Sequence, residues 1–537
     1  MKMQIVSSES VNNMDNNKFK RHVGIAQLTF AGITGIIGSG WLFTPYIALR
    51  ISGPYSLISW IVGFSFALIL ALCYAEVASL TPASGLMVHL AQMTNGPFIG
   101  QIWSTLLFLS YSAMPAIELL AFIGYLNQVT GKYLVNDVGT LTLFGFVAAS
   151  LFMILFLFLG MLGIKTILNI NGVASIGKVL VPLTFAITLI VTHFHSENFY
   201  NVAHINAFYG ITASLSSAGI IFSCLGFRQI IELSGEAREA SDVATSILLS
   251  TAIAGSIYLV LQLSVIGYFN PSLVLHGFPS LILPYSGSAP LFSISIMSGM
   301  LWLTIILTFE ALTSPAITSF LALITASRIS YAIALRSFVQ KIKLLLYINK
   351  RGAPLIALFS VAIISILFML PFPSWASMVK YLTAASAISY SIGPLTLLQL
   401  RKSMPDVTRP FRLPLAFIVA PIGFVMSSLI ICFTGLHIQL ALIMLVLLIT
   451  LFLKTFVKKP NLVKSSQRYF WFYFYILGLV ITTSVGPTVI GGYGIINMIT
   501  VSIITTFVSI VSLYWAISST LSSHHVAEYL SAIKVSK

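Results

Sequence analysis

Apolar residues in this chain come in long unbroken blocks. They do not alternate as in a half-buried strand, nor form the stripe of a surface helix. Fourteen blocks stand out, at 23–50, 54–80, 98–128, 139–162, 168–192, 207–232, 245–269, 289–326, 353–370, 374–400, 415–433, 438–457, 471–485 and 495–517. A hydrocarbon core of about 30 Å is crossed by about 20 helical residues. Continuous helix also keeps backbone polar groups paired where lipid offers no partners. The blocks therefore predict an all-α membrane protein of about 14 transmembrane helices. The 289–326 block exceeds one span, and predicts a helix that projects from the bilayer or carries a lead-in segment.

Two blocks are interrupted. Gly32, Gly35, Gly38 and Gly40 fall within nine residues of the first block, and the sixth mixes Ser216, Ser217 and Ser223 with Gly219 and Gly226. A helix that unwinds at membrane depth must face protein or a water-filled cavity, and its freed amides and carbonyls are then open to a solute. With a cytoplasmic N-terminus, block one enters from the cytoplasm and block six from outside. Interruptions five blocks apart in opposite orientation predict an inverted repeat with a binding site near the midplane. The plain alternative is that the glycines serve close helix packing.

Composition agrees with the pattern. The chain has 537 residues, 58% hydrophobic and 8% charged, too little charge to cover a soluble fold of this size. The net charge of +15 raises the question of a nucleic-acid partner. Its distribution answers against one. Of the 28 basic residues, 23 fall on the side that a cytoplasmic N-terminus makes inside, Arg50 and Lys132 fall outside, and Lys178, Arg228 and Lys380 lie within blocks. This is the positive-inside asymmetry, and it predicts a multi-pass protein of the cytoplasmic membrane with both termini cytoplasmic. Cys73, Cys224 and Cys432 sit in separate apolar blocks, as packing residues do. His193 with His195, and His524 with His525, lack nearby acids, so no metal site is expected. No phosphate-binding loop or acid–base cluster is evident, and neither an enzyme nor a cofactor is expected. The polar, Asn-rich residues 1–22 lack the apolar core of a signal peptide and predict a disordered tail.

Several longer motifs carry a resemblance. These are GITGIIGSGWLFTPYIA in the first block, YAEVASLTPASG at 74–85, LGFRQIIELSGEAREA at 225–240, ASRISYAIA at 326–334, GAP at 352–354 and GPLTLLQLRKSMPDVTRPFRLP at 393–414. In this order and spacing the chain resembles an amino acid permease of the amino acid–polyamine–organocation (APC) superfamily. The resemblance implies a five-plus-five inverted-repeat core with discontinuous helices 1 and 6. The chain then divides into a cytoplasmic tail at 1–22, a ten-helix transporter core at 23–400, four accessory helices with basic loops at 401–519 and a cytoplasmic C-terminal tail at 520–537. It also implies secondary active transport of amino acids by alternating access. Amino acid exchange, polyamine transport and a non-transporting nutrient sensor are the alternatives. Acids are scarce within the blocks, which favours neutral over basic substrates. Carried over by position, the substrate carboxylate would meet amides around Gly38, Ser39 and Gly40, and the ammonium would meet carbonyls near Ile36, Phe222 and Leu225. Phe222 takes the place of the aromatic gate.

Lys178 is the sharpest single residue. It lies ten residues into its block, about 15 Å deep, where a charge costs about 2.5–3.5 kcal/mol even on lenient scales. It resembles the fifth-span lysine of proton-coupled and ion-independent members, whose ammonium stands where related transporters hold sodium. The expected partners are carbonyls near Gly32 to Gly35 and a hydroxyl of Ser314 or Thr318. The expected role is proton coupling, against the alternative of a static clamp. Glu118 and Glu310 are possible pathway acids, with Lys178 or Lys380 as partners for Glu310. Glu76 is expected to be structural. Arg228 stands where many members carry an acid, and is expected to pair with Glu232 or Glu236.

Overall fold

The computed structural model describes residues 23–83, 85–161, 164–202, 205–285, 287–336, 340–349, 352–456 and 469–535. The expected tail at 1–22 and much of the basic loop before residue 469 lie outside the described residues. Every apolar block falls on helix. The first block holds α1 (Ile25–Ile36) and α2 (Gly40–Ser52); α3 (Ser56–Leu80), a connecting α4 (Leu86–Asn95), α5 (Pro97–Val129), α6 (Leu143–Gly160) and α7 (Ile164–His193) follow. The sixth block is split into α8 (Ala207–Ser217), α9 (Ile220–Cys224) and α10 (Arg228–Leu233), before α11 (Ala240–Tyr268). The overlong eighth block is a lead-in helix α12 (Pro290–Met297) and a long α13 (Leu301–Arg336). Then come α14 (Leu355–Phe368), α15 (Trp375–Ser403), α16 (Ala416–Phe433), α17 (Leu436–Phe456), α18 (Phe470–Val485), α19 (Met498–Ser518) and α20 (Ser523–Val535).

Among the described residues, eight helical stretches are long and apolar enough to cross a membrane. They become nine when the sixth-block pair, bent by 56°, is taken as one span. Side-chain caps set several helix starts: Thr142, Asn206, Ser374 and Asn497 each accept an amide of the first turn, filling donors that a helix start leaves open. The arrangement is centred on α5, buried along most of its length and packed against α13 and α15. On the other side of the core, α11 packs against α1, α3 and α7. Outward faces stay apolar, as at Phe144, Leu151 and Phe158 of α6. Water would penalise such a surface, and hydrocarbon does not.

Two features brace the loop side. The buried Glu76 accepts from Arg401 Nε at 3.0 Å and Nη2 at 2.6 Å, and from the Leu413 amide at 2.7 Å. Arg409 Nε adds an ion pair at 3.0 Å. The 520–537 segment carries α20, which packs on α4 with Val526 fully buried. Tyr529 bonds both His89 and Gln92 of α4, each at 3.2 Å.

Candidate functional site

The two interrupted blocks meet at their breaks. Helix α1 stops at Ile36, residues 37–39 are non-helical, and α2 begins at Gly40. In the sixth block Gly219 has a φ of +89°, a left-handed conformation that a side chain would strain. The breaks touch backbone to backbone. A Cβ on Gly226 would collide with the Gly35 main chain, and one on Gly40 with Ser223. At Gly35, Gly40 and Gly226 the missing Cβ lets the two blocks approach closely. Gly38 differs, because its missing Cβ leaves room for a carboxylate: an added Cβ would lie 2.6 Å from Glu118 Oε1.

That carboxylate takes the freed donors. The Ser39 amide donates to Glu118 Oε2 at 2.8 Å, and Ser39 Oγ donates to Oε1 at 3.1 Å. Glu118 therefore holds the ground assigned by resemblance to a substrate carboxylate. Trp375 Nε1 donates to Ser39 Oγ at 2.8 Å. Its ring stacks on Phe43 and meets Phe222 edge to face at 6.1 Å, so Phe222 and Trp375 close one side of the break together.

The freed acceptors are also held. Lys178, fully buried, donates to the Ile37 carbonyl at 3.0 Å, the Ser314 carbonyl at 3.1 Å and Thr318 Oγ1 at 2.5 Å. Ser314 and Thr318 are the expected partners, although Ser314 contributes its carbonyl. The first-block carbonyl that Lys178 takes is that of Ile37, in the break just past the stretch from Gly32 to Gly35. The Ile36 carbonyl accepts from the Tyr258 hydroxyl at 3.0 Å, and the Leu225 carbonyl accepts from the Tyr390 hydroxyl. Each carbonyl has two lone pairs, and each tyrosine hydroxyl occupies one.

The remaining charges are sorted by local geometry. Glu310 accepts from Thr313 Oγ1 at 3.3 Å and lies beside Gly177, and among the described residues it forms no ion pair with Lys178 or Lys380. Lys380 is exposed. The expected pairing of Arg228 with Glu232 or Glu236 is absent among the described residues. A 3-10 turn over Ser234–Glu236 carries Glu236 to Arg328 at 2.6 Å, and Glu232 accepts from the Tyr111 hydroxyl at 3.3 Å. No group of three His, Cys, Asp or Glu is placed to hold a metal among the described residues.

Trp375, Tyr258 and Tyr390 escaped the sequence reading. Their signal was available: a phenol or indole within an apolar span needs a hydrogen-bond partner, and broken helices supply unpaired carbonyls.

Apolar helices in this number, two of them interrupted around a buried lysine and a buried carboxylate, define a multi-pass membrane protein built around a central polar site. The amino acid permease family model matches residues 23–480. The chain belongs to that family, within the APC superfamily, whose members are transporters rather than enzymes. It is similar to the glutamate/serine transporter AimA of Bacillus subtilis (strain 168), 29% identical over 530 residues that cover 96% of each chain. It is also 29% identical to the aspartate-proton symporter of the same organism, over 78% of this chain and 80% of the relative. The branched-chain amino acid permease BcaP of that organism is 24% identical, over 74% of this chain and 84% of its own.

Proposed function

We propose that this permease imports amino acids across the cytoplasmic membrane by alternating access, with proton symport. Its core is the ten blocks at 23–400, two inverted sets of five, with the blocks after residue 400 as accessory spans. Paired breaks five blocks apart and the basic bias of one set of loops support that topology and two cytoplasmic termini. The relatives named above carry amino acids with quite different side chains. A site that grips the shared α-ammonium and α-carboxylate through backbone groups suits that range.

One observation carries the proposal: Glu118 on the Ser39 amide. An amide has a single hydrogen, so it holds one carboxylate at a time. A substrate carboxylate that docks there displaces Glu118. Turned away from its donors in a buried setting, an ionised carboxylate is costly, and a proton removes the cost. Substrate entry and proton uptake are then one event. Lys178 supplies the balancing cation on the next carbonyl of the same break, and Ser314 and Thr318 position it. Coupling through this unit also fits the aspartate-proton symporter among the relatives above.

Counterflow in proteoliposomes tests the reading. External labelled amino acid should accumulate against an internal unlabelled pool, and the lumen should acidify during net uptake driven by substrate alone. Binding without counterflow would mark a sensor, and counterflow without acidification would mark an exchanger.

A further inference from the structure

Arg228 is a buried cation that the transport scheme leaves unused. It is 3% exposed, and no carboxylate lies within 4.0 Å of it among the described residues. Its guanidinium sits 4.0 Å over the Tyr111 ring and donates from Nη1 to Ser110 Oγ at 3.2 Å. A guanidinium offers five N–H donors in a planar fork made for a carboxylate, and one hydroxyl with one aromatic face does not fill that fork. The nearest acid on its own helix, Glu232, is turned to Tyr111, and its Oε2 is buried with no hydrogen-bond partner. Arg228 and the acid one turn away thus both engage Tyr111 and form no ion pair with each other. Such an arrangement awaits an anion from elsewhere.

Its position fits that role. Arg228 lies three residues beyond Leu225 on the interrupted sixth block, and its partner Ser110 shares α5 with Glu118. Eight residues of helix separate Ser110 from Glu118, a rise of about 12 Å. In an extended glutamate the two carboxyl carbons lie about 5 Å apart, four carbon–carbon bonds. A hydrogen bond of about 3 Å at each end brings the reach to about 11 Å.

We propose that Arg228 receives the side-chain carboxylate of a dicarboxylic amino acid whose α-carboxylate replaces Glu118 on the Ser39 amide. The proposal rests on the amino acid site above and adds its side-chain selectivity. It departs from the neutral preference read from the scarcity of acids, because an arginine selects for an acid in the substrate. A site built around a charged partner rejects the neutral isostere.

The test is the ratio of glutamate to glutamine affinity in purified protein, measured by competition, in the unaltered chain and in Arg228→Gln and Arg228→Lys. The unaltered protein should favour glutamate. Arg228→Gln should cut the ratio about 30-fold or more, and Arg228→Lys should retain a preference for glutamate. Equal affinities in the unaltered protein, or a ratio that Arg228→Gln leaves intact, would overturn the role of Arg228 even if neutral amino acids bind well. A protein that binds no α-amino acid at all would instead overturn the site on which the proposal rests.

Discussion

Two clusters of buried charge in this molecule are built on opposite plans. At the Glu76 cluster the carboxylate meets two guanidiniums and an amide, so the acid is enclosed by fixed protein partners. At the breaks, Lys178 rests on two carbonyls and a hydroxyl, and Glu118 rests on an amide and a hydroxyl, with no ion pair between them among the described residues. A closed cluster has nothing to exchange and ties the α15 exit to α3. The open one is held by partners that a substrate can replace. Buried charge alone does not mark function; buried charge satisfied by replaceable partners does.

Four substitutions press on that contrast. Glu76→Ala leaves two guanidiniums, one of them nearly buried, without their acid. It should cost about 3–5 kcal/mol, read as a loss of thermal stability in detergent while any folded fraction still binds substrate. A stable Glu76→Ala protein with altered substrate affinity would reverse the roles of the two clusters. Gly38→Val places a side chain where the Glu118 carboxylate lies, and should abolish binding while membrane insertion is retained. Unchanged uptake would show that the carboxylate needs no such room. Lys178→Ala should remove the pH dependence of uptake, and the Lys178 role fails if the variant still acidifies vesicles at the original rate. The smallest effect is expected of Tyr258→Phe, which deletes one replaceable bond to the Ile36 carbonyl. That loss is worth about 1 kcal/mol, or about fivefold in affinity.

The sequence showed some of this and hid the rest for definable reasons. Both break positions were visible because glycine clusters are local signals. Lys178 and its neighbours Ser314 and Thr318 were visible through depth and resemblance. The partner of Glu118 was not, because Ser39 is 79 residues away and no periodicity links the two. The glycines are visible in the sequence, but what each one faces is not. Gly35, Gly40 and Gly226 admit neighbouring backbone and side-chain atoms, and Gly38 admits the Glu118 carboxylate. The Arg228 pairing fails for two local reasons: the turn at 234–236 sends Glu236 to Arg328, and Glu232 is taken by the Tyr111 hydroxyl.

Proton exchange on substrate binding tests the displacement of Glu118 most directly. Saturating amino acid added to purified protein in weakly buffered solution should draw protons from the medium, and Glu118→Gln should bind the same amino acid with no such uptake. Binding to the unaltered protein without proton uptake, or full uptake in Glu118→Gln, would contradict it.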